Sequence, residues 1–148
     1  MSAVMPWRAR KSSMSAVAAR GAEFPAALYA ADLADWAVRL YDEYLRRPDL
    51  IRLATWARLE RRPVGHLVDD PDRLDDGKLR AIAQAQAAGS VHQGDPFDLM
   101  AMVIAMSMAW SPVSNVYAAT AQEPPELHDQ RRALLSESVR RAVAADRG

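Results

Sequence analysis

The stretch ADLADWAVRLYDEYLRR at residues 31–47, followed without a gap by PDLIRLATWARLERR at residues 48–62, decides the fold class. In the first, Leu33, Trp36, Ala37, Leu40, Tyr41, Tyr44 and Leu45 recur at the three- and four-residue intervals of one helix face, so the spacing predicts an amphipathic helix built to pack. Pro48 cannot continue that helix but suits the first turn of a new one, which predicts a tight corner and a second amphipathic helix. Strand signals are nearly absent from the rest of the chain, and the expected fold is all-α.

Three further helices are expected. Gly89 is placed to end one running over about 76–88, after a solvated connection at 62–76 that carries Pro63, Gly65, Pro71 and the acidic run Asp69, Asp70, Asp72, Asp75 and Asp76. Asp95 and Pro96 supply an N-cap and a first-turn proline for the next, with Asp98 near its positive end. From 97 to 110 this helix reads FDLMAMVIAMSMAW, apolar on nearly every face, which predicts a central position among other helices or against a second subunit. The last helix, over 126–145, carries a narrow seam of Leu127, Leu134, Leu135, Val139, Ala142 and Val143 between charges.

Bulk composition bounds the function. The 148 residues are half hydrophobic, enough for one core that buries roughly two thirds of the unfolded surface. Nineteen basic and nineteen acidic residues cancel, so no overall field draws the chain to nucleic acid or to a membrane. The absence of cysteine excludes disulfides, thiolate metal sites and a cysteine nucleophile, and fits a reducing cytoplasm. No apolar run reaches the ~18 residues of a membrane span. The first 27 residues, with Arg8, Arg10, Lys11 and Arg20 and no apolar core behind them, are expected to form a basic arm rather than a secretory signal. The arginine- and alanine-rich bias fits coding by a GC-rich bacterial genome.

No catalytic, cofactor or metal site is legible. His66, His92 and His128 lack metal-ligand spacing, the serines lack a nucleophile-elbow context, and no phosphate-binding glycine motif is present. The acidic run lacks the register and closing glutamate of a calcium loop. An enzyme is therefore not expected.

The segments YLRRPDLIRLATWARLERRP, LRAIAQAQAAGSV (79–91), DPFDLMAMVIAMSMAW (95–110) and RRALLSESVRRAV (131–143), in that order, resemble the C-terminal ligand-binding and dimerisation domain of tetracycline-repressor (TetR) family transcription regulators. The resemblance spans about 28–143. It implies an antiparallel bundle of about five helices, with the regulatory domain at 28–148, a pocket for an apolar small-molecule effector, and a homodimer. On this sequence the resemblance places the pocket among Trp36, Leu40, Tyr44, Trp56, Met100, Ile104 and Met108. It places the dimer contact on the last two helices, at Val103, Trp110, Leu127, Leu134, Leu135, Val139 and Ala142.

Relatives carry a helix-turn-helix ahead of this domain, and residues 1–27 are too few to supply one. DNA contact is thus expected only through a reader this chain lacks, whether by truncation, a frame-shift or natural loss. The competing reading is an interaction protein that binds no ligand and titrates full-length relatives away from DNA by dimerising with them.

Overall fold

The computed structural model describes residues 24–60 and 77–147. The predicted basic arm at 1–27, up to residue 23, and the solvated acidic connection at 62–76 lie outside the described residues. The described chain forms five helices: α1 (Ala30–Arg46), α2 (Pro48–Leu59), α3 (Gly77–Ala87), α4 (Pro96–Ser107) and α5 (Pro125–Val143). The expected all-α class is what the chain adopts.

Local chemistry sets the helix ends. At the start of α1 the Asp32 carboxylate reaches back to accept the Tyr29 backbone N–H at 2.8 Å, occupying a donor the first turn leaves unpaired. Pro48 opens α2 with only Arg47 between it and the end of α1, a place its fixed φ and missing N–H suit. Helix α3 closes in a Schellman motif: Ser90 N–H bonds the Ala85 carbonyl, Gly89 N–H bonds the Gln86 carbonyl, and Gly89 takes the left-handed φ of 73° that a side chain would resist. Asp95 caps α4 by accepting from the backbone N–H of Phe97 at 2.7 Å and of Asp98 at 3.4 Å.

Helix α4 ends at Ser107, earlier than its apolar run suggests. The Ser107 hydroxyl donates to the Ile104 carbonyl, and residues 108–111 continue in tight i to i−3 turns instead of helix.

The centre of the fold is α1, not α4. One stripe of α1 (Leu33, Ala34, Trp36, Ala37, Leu40, Tyr41 and Tyr44) is buried, and α2, α4 and α5 all pack on this helix. Helix α5 lies antiparallel along it: Tyr41, late in α1, meets His128, early in α5, while Asp35 lies beside Ser136 further along. Helix α4 buries only the line Leu99, Val103 and Ser107, leaving Ala101, Met102 and Ala105 exposed. Of the two positions expected for α4, the first is corrected: it is not enclosed by the chain's other helices, and its all-round apolar character reflects one face in the core and another uncovered within the single chain.

Two secondary contacts close the shell. The turn after α3 is tied to the end of α5, with His92 N–H donating to the Val143 carbonyl at 2.9 Å and Val91 bridging Ala144. The Gln86 side chain donates to the His92 carbonyl, fixing that turn from beneath. Phe24 meets Trp36 edge to face at 5.2 Å, so the packed chain reaches back at least to residue 24.

This arrangement separates two leucines that composition alone treats alike. Leu33 is fully buried in α1, whereas Leu53 is exposed on α2. Leu33→Ala is expected to cost about 2–5 kcal/mol in chemical denaturation, and Leu53→Ala less than about 0.5 kcal/mol. Equal losses would place α1 wrongly at the centre.

Candidate functional site

The polar chemistry of the interior gathers where α1 crosses α5. The Tyr41 hydroxyl and His128 Nδ1 are 2.7 Å apart, and both side chains are buried. Trp110, just past α4, stands edge to face on Tyr41 with ring centroids 5.9 Å apart. Two arginines of α5 approach the same tyrosine: Arg132 lies over its ring at 5.8 Å, and Arg131 faces its hydroxyl.

This geometry assigns the proton. A buried phenol needs an acceptor for its O–H, and both arginines are donors only. Tyr41 therefore donates to His128 Nδ1, which makes the imidazole the Nε2–H tautomer. His128 Nε2 is buried and has no hydrogen-bond partner, with the residue only 6% exposed. An orphaned buried donor costs about 1–3 kcal/mol. Trp36 Nε1, also buried, is a second one. Tyr44, one turn along α1, pairs with Ser107 across 3.5 Å, and burial pushes its phenol pKa up against the opposing pull of Ser107 and Arg58, so it too stays a neutral hydroxyl.

A loop covers this corner. Between α4 and α5 the chain runs out and back, closed by the Ala119 N–H donating to the Trp110 carbonyl at 2.9 Å. Ala119 is buried against a crevice whose other walls are Tyr41, Tyr44, Leu45, Trp110, Ser111 and Pro112, and the crevice is too narrow to admit a water molecule.

One carboxylate holds the loop down. Glu123 accepts the Tyr117 hydroxyl at 2.6 Å, the Thr120 backbone N–H at 2.9 Å, and a two-pronged contact from Arg131 at 3.0 and 3.1 Å. The Arg131 guanidinium, with the Tyr117 and Thr120 donors adding to it, holds the Glu123 pKa down at about 2 from its ordinary 4.5.

The residues singled out from the sequence divide. Trp36, Leu40 and Tyr44 are buried in one cluster, with Met100, Ile104 and Met108 packed half-buried against it. Trp56 is not with them: it is 65% exposed and donates its Nε1–H to Glu60 at 2.6 Å. The reason is helical phase, because α2 meets the body through Ile51 and Ala54, and Trp56 stands on the far face.

Of the expected dimer residues, Val103, Leu135 and Val139 are consumed by the chain's own core, and Trp110 is half-buried against Tyr41. Leu127, Leu134 and Ala142 face outward. The buried stripe of α5 begins with His128 rather than Leu127.

Sequence reading passed over His128 and Glu123. A lone histidine without ligand spacing carries no signal, and the clasp around Glu123 joins loop residues to a helix in a pattern that no periodicity encodes. A second depression, open to solvent and about 510 Å³ in volume, lies between α1 and α5 beside Val38, Arg39, Arg132 and Ala133. There Arg132 is already engaged by Asp42 at 2.8 Å and Asp129 at 2.9 Å. No group of metal-ligating side chains occurs among the described residues, and no described helix is long and apolar enough to cross a membrane.

The profile of the family described as "Tetracyclin repressor-like, C-terminal domain" matches residues 32–141, covering α1 through nearly all of α5, and the chain belongs to that family. Comparison with curated proteins and with solved structures returned no match.

Two measurements check the site. Long-range ¹H–¹⁵N NMR is expected to show His128 as the Nε2–H tautomer at neutral pH; the Nδ1–H form would reverse the assignment at Tyr41. Glu123 is expected to titrate near 2 by carbon-detected NMR. Because its folded pKa is depressed, the stability it lends the loop is complete above about 4.5 and lost as pH falls toward 2. Glu123→Gln should remove that acid dependence, and a midpoint near 4.5 in the wild type would mean the clasp does not form.

Proposed function

We propose that this chain is the effector-binding and dimerisation domain of a TetR-type transcription regulator, with α4 and α5 forming the contact with a second copy. Family membership over residues 32–141 is the observation that carries this reading. The outward-facing apolar residues support its dimeric part. Met102 on α4 and Leu127 and Leu134 on α5 are all exposed, Leu134 by 59%. Large apolar side chains left on adjacent helices mark an association surface, and a two-fold pairing satisfies both copies with the same patch.

The same membership supports effector binding, as does the corner where the Tyr41 and Tyr44 hydroxyls stand among aromatic rings. The described helices are all used in the bundle, so sequence-specific duplex recognition is not assigned to residues 24–60 and 77–147. A reaction is not assigned either, because Tyr41, His128 and the Ser107–Tyr44 pair hold no activated nucleophile.

Sedimentation at micromolar concentration is the test, with a dimer expected to bury on the order of 2,000 Å². Leu134→Arg should give a folded monomer, because the residue is exposed in the single chain. Leu135→Arg, which puts a charge into the core, should unfold it. A monomeric wild type, or a dimer untouched by Leu134→Arg, would refute this interface.

A further inference from the structure

We propose that the outer face of α2, formed by Leu53, Trp56 and Leu59, is a second self-association surface, on which α2 of one copy lies antiparallel to α2 of another about a two-fold axis at Trp56. The occupant is a second copy of this chain. The contact is separate from the α4–α5 surface described above, since none of its residues lies on those helices.

Helix α2 carries apolar side chains on two faces, and the fold uses one of them. Ile51 and Ala54 are buried against the body, with Leu50 half-buried beside them. Leu53, Trp56 and Leu59 are 46%, 65% and 67% exposed, three large apolar side chains in the open on a helix of 12 residues. They stand three residues apart and so share one side of the helix. An exposed tryptophan at the middle of an apolar patch is a common anchor of protein contacts.

The charges around the patch select its cover. Arg52 lies four residues before Trp56 and Glu60 four residues after it, and both are exposed. Helical geometry continues through Glu60, whose N–H bonds the Trp56 carbonyl at 3.1 Å. Positions at equal distances before and after Trp56 stand on opposite flanks of it. When two copies meet antiparallel across a two-fold axis at Trp56, residue 53 therefore faces residue 59 of the other copy and residue 52 faces residue 60, each pair occurring twice. Leucine meets leucine and arginine meets glutamate. A parallel pairing on the same face would set Arg52 against Arg52 and Glu60 against Glu60, so charge favours the antiparallel sense. Local contacts leave these groups available: Arg52 reaches Asp49 at only 3.6 Å, and Glu60 accepts the Trp56 Nε1–H through Oε1 alone.

The patch is small. Three side chains and their flanking charges fall short of the roughly 1,200 Å² of stable interfaces, so association is expected at roughly 0.1–1 mM rather than at micromolar concentration. Joined to the α4–α5 contact, it makes a dimer of dimers.

Sedimentation of the full chain carrying Leu134→Arg reads this contact alone, because that substitution leaves α2 intact whether or not the α4–α5 reading holds. A monomer is expected at micromolar concentration and a dimer at roughly 0.1–1 mM. In that background Arg52→Glu and Glu60→Arg should each weaken the dimer about tenfold, by setting like charges opposite one another twice, and the two together should restore it. Trp56→Ala should abolish it without lowering the melting temperature, since the side chain is exposed in the single chain. The chain has no cysteine, so introduced thiols report position directly. Leu53→Cys and Leu59→Cys chains, mixed and oxidised, should form the mixed disulfide. Neither chain alone should do so, because its two thiols stand about 9 Å apart along the helix axis.

The proposal is overturned if the Leu134→Arg chain stays monomeric throughout, if the double charge reversal fails to restore association, or if Leu53→Cys alone crosslinks as readily as the mixture. A melting temperature that falls with Trp56→Ala while no dimer forms would put another segment of the same chain on this face and overturn it equally.

Discussion

The crossing of α1 and α5, apolar at one end and polar at the other, is the contact on which the remaining architecture depends. It is the point where the two longest helices meet, and it lies between two kinds of packing. Toward the start of α1 the contact is apolar, with Leu33 and Ala37 facing a stripe of α5 that runs through Leu135, Val139 and Val143. Toward its end the contact turns polar, with Tyr41 against His128 and Asp42 against Arg132. Apolar burial supplies most of the free energy but tolerates sliding, because one aliphatic neighbour serves about as well as the next. Hydrogen bonds of fixed length do not. The polar end thus sets the register of α5 along α1, and the apolar end holds it there.

That register also positions the loop. Arg131 and Arg132 are consecutive on α5 and leave it on different sides: Arg132 returns to α1 through Asp42, and Arg131 turns outward to Glu123. The Glu123–Arg131 pair is only partly shielded, with each side chain 15% exposed. Its strength lies in the number of donors that converge on one carboxylate rather than in burial of charge. The loop is thus held at the Glu123 clasp and at the Ala119–Trp110 bond, and Val116 beside them stands exposed.

The helix boundaries set by proline, glycine and an acidic cap were legible in the sequence because they are decided locally, whereas the early end of α4 at Ser107 was not. Pro48, the Asp95–Pro96 pair and Gly89 each act within a turn of their own position, and each does what its covalent structure demands. The choice of central helix was not legible. An apolar run such as the one in α4 reports how much surface wants cover, not which neighbour supplies it, and α1 takes the centre with a stripe no more hydrophobic in appearance. Trp56 misled for a related reason: a tryptophan on an amphipathic helix is ordinarily core, but the narrow contact of α2 through Ile51 and Ala54 leaves room for no more. His128 was invisible because its meaning lies in a partner 87 residues away. The family resemblance correctly gave the class of domain, yet its pocket and interface assignments pass through the phase of each helix. That phase is a property of packing, which explains how Leu134 and Leu135, adjacent in sequence, come to opposite fates.

The Tyr41–His128 pair is poorly explained as a stabilising device. One buried neutral hydrogen bond contributes about 0.5–1.5 kcal/mol net, while leaving Nε2–H without an acceptor costs about 1–3 kcal/mol. The two figures cancel or leave a deficit, and an apolar pair of similar volume would fill the same space without one. The register of α5 does not require the imidazole either, since Arg132 and Asp42 already fix it one turn on.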